Sequence, residues 1–153
     1  MPEHEIEANE FASELLLPYK ELARQIKSKK ATIDLAKDVA KQFASSLTAA
    51  CFKCVEITEE KCALVYSVDE SIKWFQRNES FWFYIRGGKL SPESLAGQLF
   101  KRAPTRQQDG AVPADAWLED ERLSSGATIW EDSILLPHYN STITILTIHR
   151  ELS

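Results

Sequence analysis

The sequence predicts an α+β fold, with helices first and an antiparallel sheet after them. Two observations carry that expectation. Up to about residue 60, apolar side chains recur at helical spacing between residues suited to capping. From there on the period shortens to two, in short runs rich in Val, Ile, Thr and aromatic residues separated by turn signals. The expected organisation is therefore a helical part over 1–60 followed by an antiparallel α+β extension over 61–153.

Element by element, residues 3 to 17 have helical spacing and stop at Pro18, and Tyr19 to Ser28 suits a short second helix broken by Lys27-Ser28-Lys29-Lys30. Thr32 is placed to cap a helix running through Gln42 or Ser45, whose apolar side is Ile33, Leu35, Ala36, Val39, Ala40 and Phe43. Ser46 is placed to cap the next, from Leu47 to about Ile57. CALVYSV (62–68) and SIKWFQR (71–77) flank Asp69-Glu70 as two strands around a tight turn, and SFWFYIR (80–86) reads as a third strand ended by Gly87-Gly88. Ser91-Pro92-Glu93 starts a helix over SPESLAGQLFKR, and APTRQQDGAVPADA (103–116), with its Pro, Gly and polar residues, reads as a loop. GATIWEDSILL (126–136) and STITILTIHR (141–150) close the sheet; Thr142 and Thr144 against Ile143 and Ile145 is the alternation of a half-buried strand.

Composition narrows the function classes. The hydrophobic fraction of 44% and charged fraction of 27% are those of a globular protein. A net charge of −5 gives no overall attraction to nucleic acid or anionic membrane, so neither is an expected partner. No apolar run approaches the roughly 20 residues of a spanning helix, and MPEHEIEANE lacks the basic start and apolar core of a signal peptide, which points to the cytoplasm. Cys51, Cys54 and Cys62 are odd in number, and Cys51-x-x-Cys54 has no second ligand pair after it, so the expectation is buried reduced thiols rather than a disulfide framework or a zinc knuckle.

The stretch HEIEANEFASELLLP, His4 to Pro18, raises the question of a metal site. His4-Glu5 begins like HExxH, in which two histidines four apart grip zinc and the Glu activates water, but the second His position is Ala8. The other histidines, His138 and His149, fall in the sheet region, where His149 reads as a packed or edge residue. At roughly 100° per residue, Glu7, Glu10 and Glu14 share one side of the helix as a solvated face. Glu5 instead lies on the side of Ala8, Ala12 and Leu16. A carboxylate there either reaches water at the helix start, favoured by the dipole, or meets a cation or metal.

Glu5 to Pro18 closely resembles the ExxANxFAxxLLxP segment of the ImmA/IrrE metallopeptidases, zinc proteases of bacteria and phages. The resemblance implies that Glu5 is the third zinc ligand, completing a site begun by an HExxH helix, and Asn9 matches the Asn or Asp of the same helix. LAKDVAKQFASSLTAACFKCVEI resembles the next helices of that family, with Leu35, Ala36, Phe43, Ser46, Ala49 and Ala50 in corresponding places and Cys54 or its neighbour where an Arg is often found. CALVYSVDESIKWF and EDSILLPHYNSTITILTI look like the antiparallel extension of many members. By the same resemblance the activity is endopeptidase cleavage of a repressor or other regulator protein, in the control of mobile elements or stress, with that protein substrate as the partner.

One departure bears on activity. Only four residues precede Glu5, so the HExxH helix with its two ligands and general base is not in this sequence, which on this reading is the C-terminal portion of such an enzyme. The 153 residues by themselves are then expected to bind zinc weakly at most and to lack peptidase activity. A reading of another class is a non-catalytic regulatory or partner-binding module, in which Trp74, Phe75, Phe81, Trp82, Phe83, Tyr84, Trp117 and Trp130 line a pocket instead of filling the core. A helix-turn-helix about Ser45-Ser46 is the third, and LTAACFKCVEI has almost no side chain suited to base edges.

Overall fold

The computed structural model describes residues 18–102, 105–136, 140–149 and 152. Among the described residues three helices come first: α1 (Tyr19–Ile26), α2 (Ile33–Phe43) and α3 (Leu47–Ile57). The expected caps form. Thr32 Oγ1 accepts from Leu35 N at 3.0 Å and Ser46 Oγ accepts from Ala49 N at 3.1 Å, each occupying one of the amide donors that a helix start leaves unpaired. Ala44 ends α2 in the left-handed region at φ 54°.

The sheet has five strands, β1 (Lys61–Val68), β2 (Ser71–Arg77), β3 (Gln107–Pro113), β4 (Thr128–Leu136) and β5 (Ser141–Ile148), in the order β2-β1-β5-β4-β3 with every neighbour antiparallel. Helix α4 (Leu95–Arg102) lies between β2 and β3 in the chain, and a short 3-10 turn (Ala114–Ala116) follows β3. Helices α1 to α3 cover one face, where Leu22, Ile26, Ile33, Val39 and Val55 pack with Leu64, Trp74, Ile143 and Ile145. Helix α4 and the 114–118 segment cover the other, packing Ala96 and Trp117 with Val65, Ile129 and Leu146. The N-terminal helices thus share a core with the sheet.

Three expectations need correction. SFWFYIR is not a ladder strand: only Ile85 bridges, to Leu118. Two arginines hold its carbonyls instead, Arg122 Nη2 donating to Trp82 O at 2.6 Å and Arg77 Nη1 to Phe83 O at 3.4 Å. The 103–116 loop contains β3, an edge strand whose Gly110 and terminal Pro113 are tolerated because only one side is paired. And β5 is buried on both faces, not half-buried, because helices cover both sides of the central strand.

Candidate functional site

Glu5, the sequence-derived metal ligand, and the whole segment from His4 to Leu17 lie outside the described residues, as does His138. Among the described residues, no three His, Cys, Asp or Glu side chains come together in a way that would hold a metal. Cys51, Cys54 and Cys62 are free and buried, in line with the thiol reading. Burial pushes the Cys54 and Cys62 thiols up to about 12 and Cys51 well above its ordinary value, so near neutrality they are neutral thiols, poor metal ligands and poor nucleophiles. Helix α3 commits seven of its eleven residues to the core, including both alanines of its first turn.

The middle of the sheet holds two carboxylates that sequence reasoning did not single out. Glu131 and Asp132 are adjacent on β4, so their side chains leave opposite faces. Glu131, fully buried, accepts from Leu95 N at 2.9 Å and Ala96 N at 2.7 Å at the start of α4, from Trp117 Nε1 at 2.8 Å, and from Ser133 Oγ at 2.6 Å. Burial raises its pKa while these four donors pull it back. Gly97 lets this turn close tightly, because a Cβ there would sit 2.6 Å from Ser91 O. On the other face Asp132 Oδ2 accepts from Ile33 N at 2.8 Å at the start of α2, while Oδ1 is buried without a hydrogen-bond partner among the described residues. Burial, opposed by the Ile33 bond and reinforced by Asp109 and Asp34, pushes the Asp132 carboxyl up to about 6. The sequence signal was available: two acids inside the apolar run IWEDSILL require partners on both faces.

The open surface chemistry sits at one end of the sheet. The aromatic residues divide: Trp74, Phe75, Phe81 and Trp117 are core, whereas Trp82 is 71% exposed, Tyr84 65% and Trp130 37%. The Trp82 ring is fixed, its Nε1 donating to Glu79 O at 2.8 Å, and Arg122 lies 4.7 Å over the neighbouring Phe83 ring. Arg122 also binds Asp120 through two nitrogens, Nη2 to Oδ2 at 2.7 Å and Nε to Oδ1 at 2.9 Å, which holds the Asp120 carboxyl well below the usual carboxylate range. Trp82 and Phe83 wall a cleft of about 510 Å³ with Glu59, Lys61, Arg122 and His149. His149 is also in the wall of a second cleft, about 300 Å³, between Trp130 and the loop joining α1 to α2. The Trp130 and His149 rings meet edge to face, 6.0 Å apart. Aromatic walls with a few polar groups are what an extended peptide or small ligand uses.

Against this geometry, residues 1–55 match the family model of the IrrE N-terminal-like domain, Peptidase_M78. Over these residues the chain is similar to that domain of the ImmA/IrrE metallopeptidases. The matched segment holds Glu5 with its motif and the described helices α1, α2 and most of α3, and these described helices are the layer packed on the Asp132 face of the sheet. No curated protein matches the chain.

Proposed function

We propose that the chain carries the carboxylate ligand of an ImmA/IrrE-type zinc endopeptidase centre, Glu5, and that its sheet-end clefts engage the protein substrate, a repressor or other regulator. The family match over 1–55, which contains the whole Glu5 to Pro18 motif, is the observation that supports this reading. Bound zinc would supply a polarised water or carbonyl at neutral pH. Glu5 gives one of the three protein ligands such a site requires. The two histidines and the base glutamate of an HExxH helix are assigned to a segment outside these 153 residues, so the chain alone binds zinc weakly and does not cleave peptides. The proposed setting is the cytoplasm; no helix among the described residues is long and apolar enough to cross a membrane.

The test uses the purified chain. With added zinc it should show neither stoichiometric binding nor cleavage of an unfolded protein substrate, and an HExxH-bearing family segment supplied in trans should restore both, with Glu5→Gln abolishing the restoration. Tight zinc binding with turnover by the 153 residues alone would overturn it. A second reading, a non-catalytic partner-binding module, is supported by Trp82, 71% exposed beside the 510 Å³ cleft. It predicts regulator binding that survives Glu5→Gln and is lost in Trp82→Ala.

A further inference from the structure

The smaller cleft has a chemistry of its own. One wall is the Trp130 indole with the His149 ring edge-on to it, and the opposite wall is the loop carrying Lys30 and Thr32. Asp109 brings a carboxylate from β3; it stands directly opposite Asp132 in the ladder and diagonal to Trp130, which pairs with Thr147. All these strand residues lie on the face that α2 covers, since Asp132 reaches Ile33 from it.

Charge decides what such a cleft takes. Asp109 is the carboxylate of its lining, and Asp34, in the first turn of α2, and the buried Asp132 stand behind it outside the lining, close enough that Asp109 and Asp34 both bear on Asp132 electrostatically. Lys37 is the cation set among them, but its ammonium is directed to Asp34 and Gln107. Lys30 lies in the cleft wall without reaching ion-pair distance of Asp109, and the Asp109 carboxylate has no hydrogen-bond or ion-pair partner among the described residues. An indole face beside an unneutralised carboxylate is the pairing that holds an ammonium or guanidinium group, through cation–π attraction and a charged hydrogen bond together.

We infer that the cleft between Trp130, His149 and Asp109 receives a lysine or arginine side chain of an extended polypeptide, whose chain continues into the larger cleft past Trp82. The shared His149 wall gives that continuation a path. The inference rests on the proposed engagement of a protein substrate and narrows its class to a segment with an exposed basic residue.

The experiment is an NMR titration of the full ¹⁵N-labelled chain, reading the Trp130 indole resonance, assigned by its absence in Trp130→Phe. Blocked Ala-Lys-Ala and Ala-Arg-Ala should shift it saturably, and blocked Ala-Glu-Ala and Ala-Ala-Ala should not. Asp109→Asn should weaken the basic peptides about tenfold while the Trp117 indole resonance stays in place, reporting an intact core. Equal shifts by all four peptides, or an unchanged affinity in Asp109→Asn, would overturn the inference. Nα-acetyl-lysine N-methylamide binding as tightly as Ala-Lys-Ala would also overturn it, since that marks a small-cation site without a peptide track. The readout is independent of zinc: loss of the endopeptidase reading through the metal assay leaves it standing, and loss of the peptide shifts leaves the Glu5 assay untouched.

Discussion

Glu131 and Asp132, neighbours on β4, hold the amino termini of two different helices on the two faces of the sheet. Each carboxylate works with a hydroxyl. Glu131 takes the first two amides of α4 while Ser94 Oγ accepts from Gly97 N at 2.9 Å, and Asp132 takes the first amide of α2 while Thr32 Oγ1 takes that of Leu35. One dipeptide thus ties the IrrE-like helices and the α4 layer to the same strand. The two ties differ in quality: every Glu131 oxygen has donors, whereas Asp132 keeps an unpartnered oxygen.

Removing the satisfied carboxylate should be the costlier change. Glu131→Ala strands Leu95 N, Ala96 N and the Trp117 indole N–H in the core and opens a cavity, so the expected loss is about 3–5 kcal/mol. Glu131→Gln keeps one acceptor oxygen but sets an amide NH₂ against donors, with an expected loss of about 1–3 kcal/mol. Urea unfolding followed by tryptophan fluorescence measures both, provided the slope with denaturant is unchanged. An alanine variant within about 0.5 kcal/mol of wild type, the scatter of an ordinary surface change, would show that α4 is held by Ser94 alone.

Asp132 should appear as a pH dependence of stability. Its folded pKa stands at about 6 against an ordinary 3.8, so the folded protein holds this proton more tightly than the unfolded chain. The stability linked to that proton is fully present below about 3.8 and is lost as pH rises through about 6. Asp132→Asn retains a carbonyl oxygen for Ile33 N and removes the titration. Its unfolding midpoint should therefore vary less between pH 4 and pH 6.5 than that of wild type, with the variant gaining relative to wild type toward neutral pH. Parallel pH profiles for the two proteins would rule out Asp132 as the titrating group.

The β1–β2 turn carries local strain that can be relieved. Asp69 and Glu70 both have positive φ, 50° and 65°, as a two-residue hairpin with right-handed strand twist demands. Asp is accepted there, but Glu is not a residue that favours this region. Glu70→Gly should stabilise the chain by about 0.5–1 kcal/mol, raising the thermal midpoint by about 1–4 °C, because the backbone acceptance from Leu90 N is kept. Calorimetry checks this; a lowered midpoint would mean that the entropy of the added glycine outweighs the strain.

Legibility followed the range of the forces involved. The Thr32 and Ser46 caps and the Asp69-Glu70 hairpin were readable because each is decided by residues within four positions of one another. Segment 80–86 misled because aromatic alternation is shared by strands and by chains pinned from elsewhere, here by Arg122 some 40 residues on. β3 was hidden because an edge strand relaxes the very exclusions, Gly110 and Pro113, that mark loops. Of the candidate site, the Glu5 motif was legible as a contiguous pattern, while the Trp130, His149 and Asp109 cleft joins three strands and two loops and leaves no local signature.

Two tryptophans make the last test, since they separate a structural role from a binding one. Trp117 is fully buried and donates to Glu131, so Trp117→Ala both opens a cavity and removes one of the four donors of a buried carboxylate, at an expected cost of about 3–5 kcal/mol. Trp82 is 71% exposed and the hydrogen bond of its indole ends on a neighbouring carbonyl, so Trp82→Ala should stay within about 0.5 kcal/mol of wild type. A side chain that large, ordered and exposed contributes little to folding, and its expected contribution is to binding. Trp82→Ala should therefore weaken binding of an unfolded regulator segment while its urea midpoint is unchanged. A large loss of stability in Trp82→Ala would instead assign the ring to holding Arg122 and the 80–86 segment in place, and the cleft wall to packing.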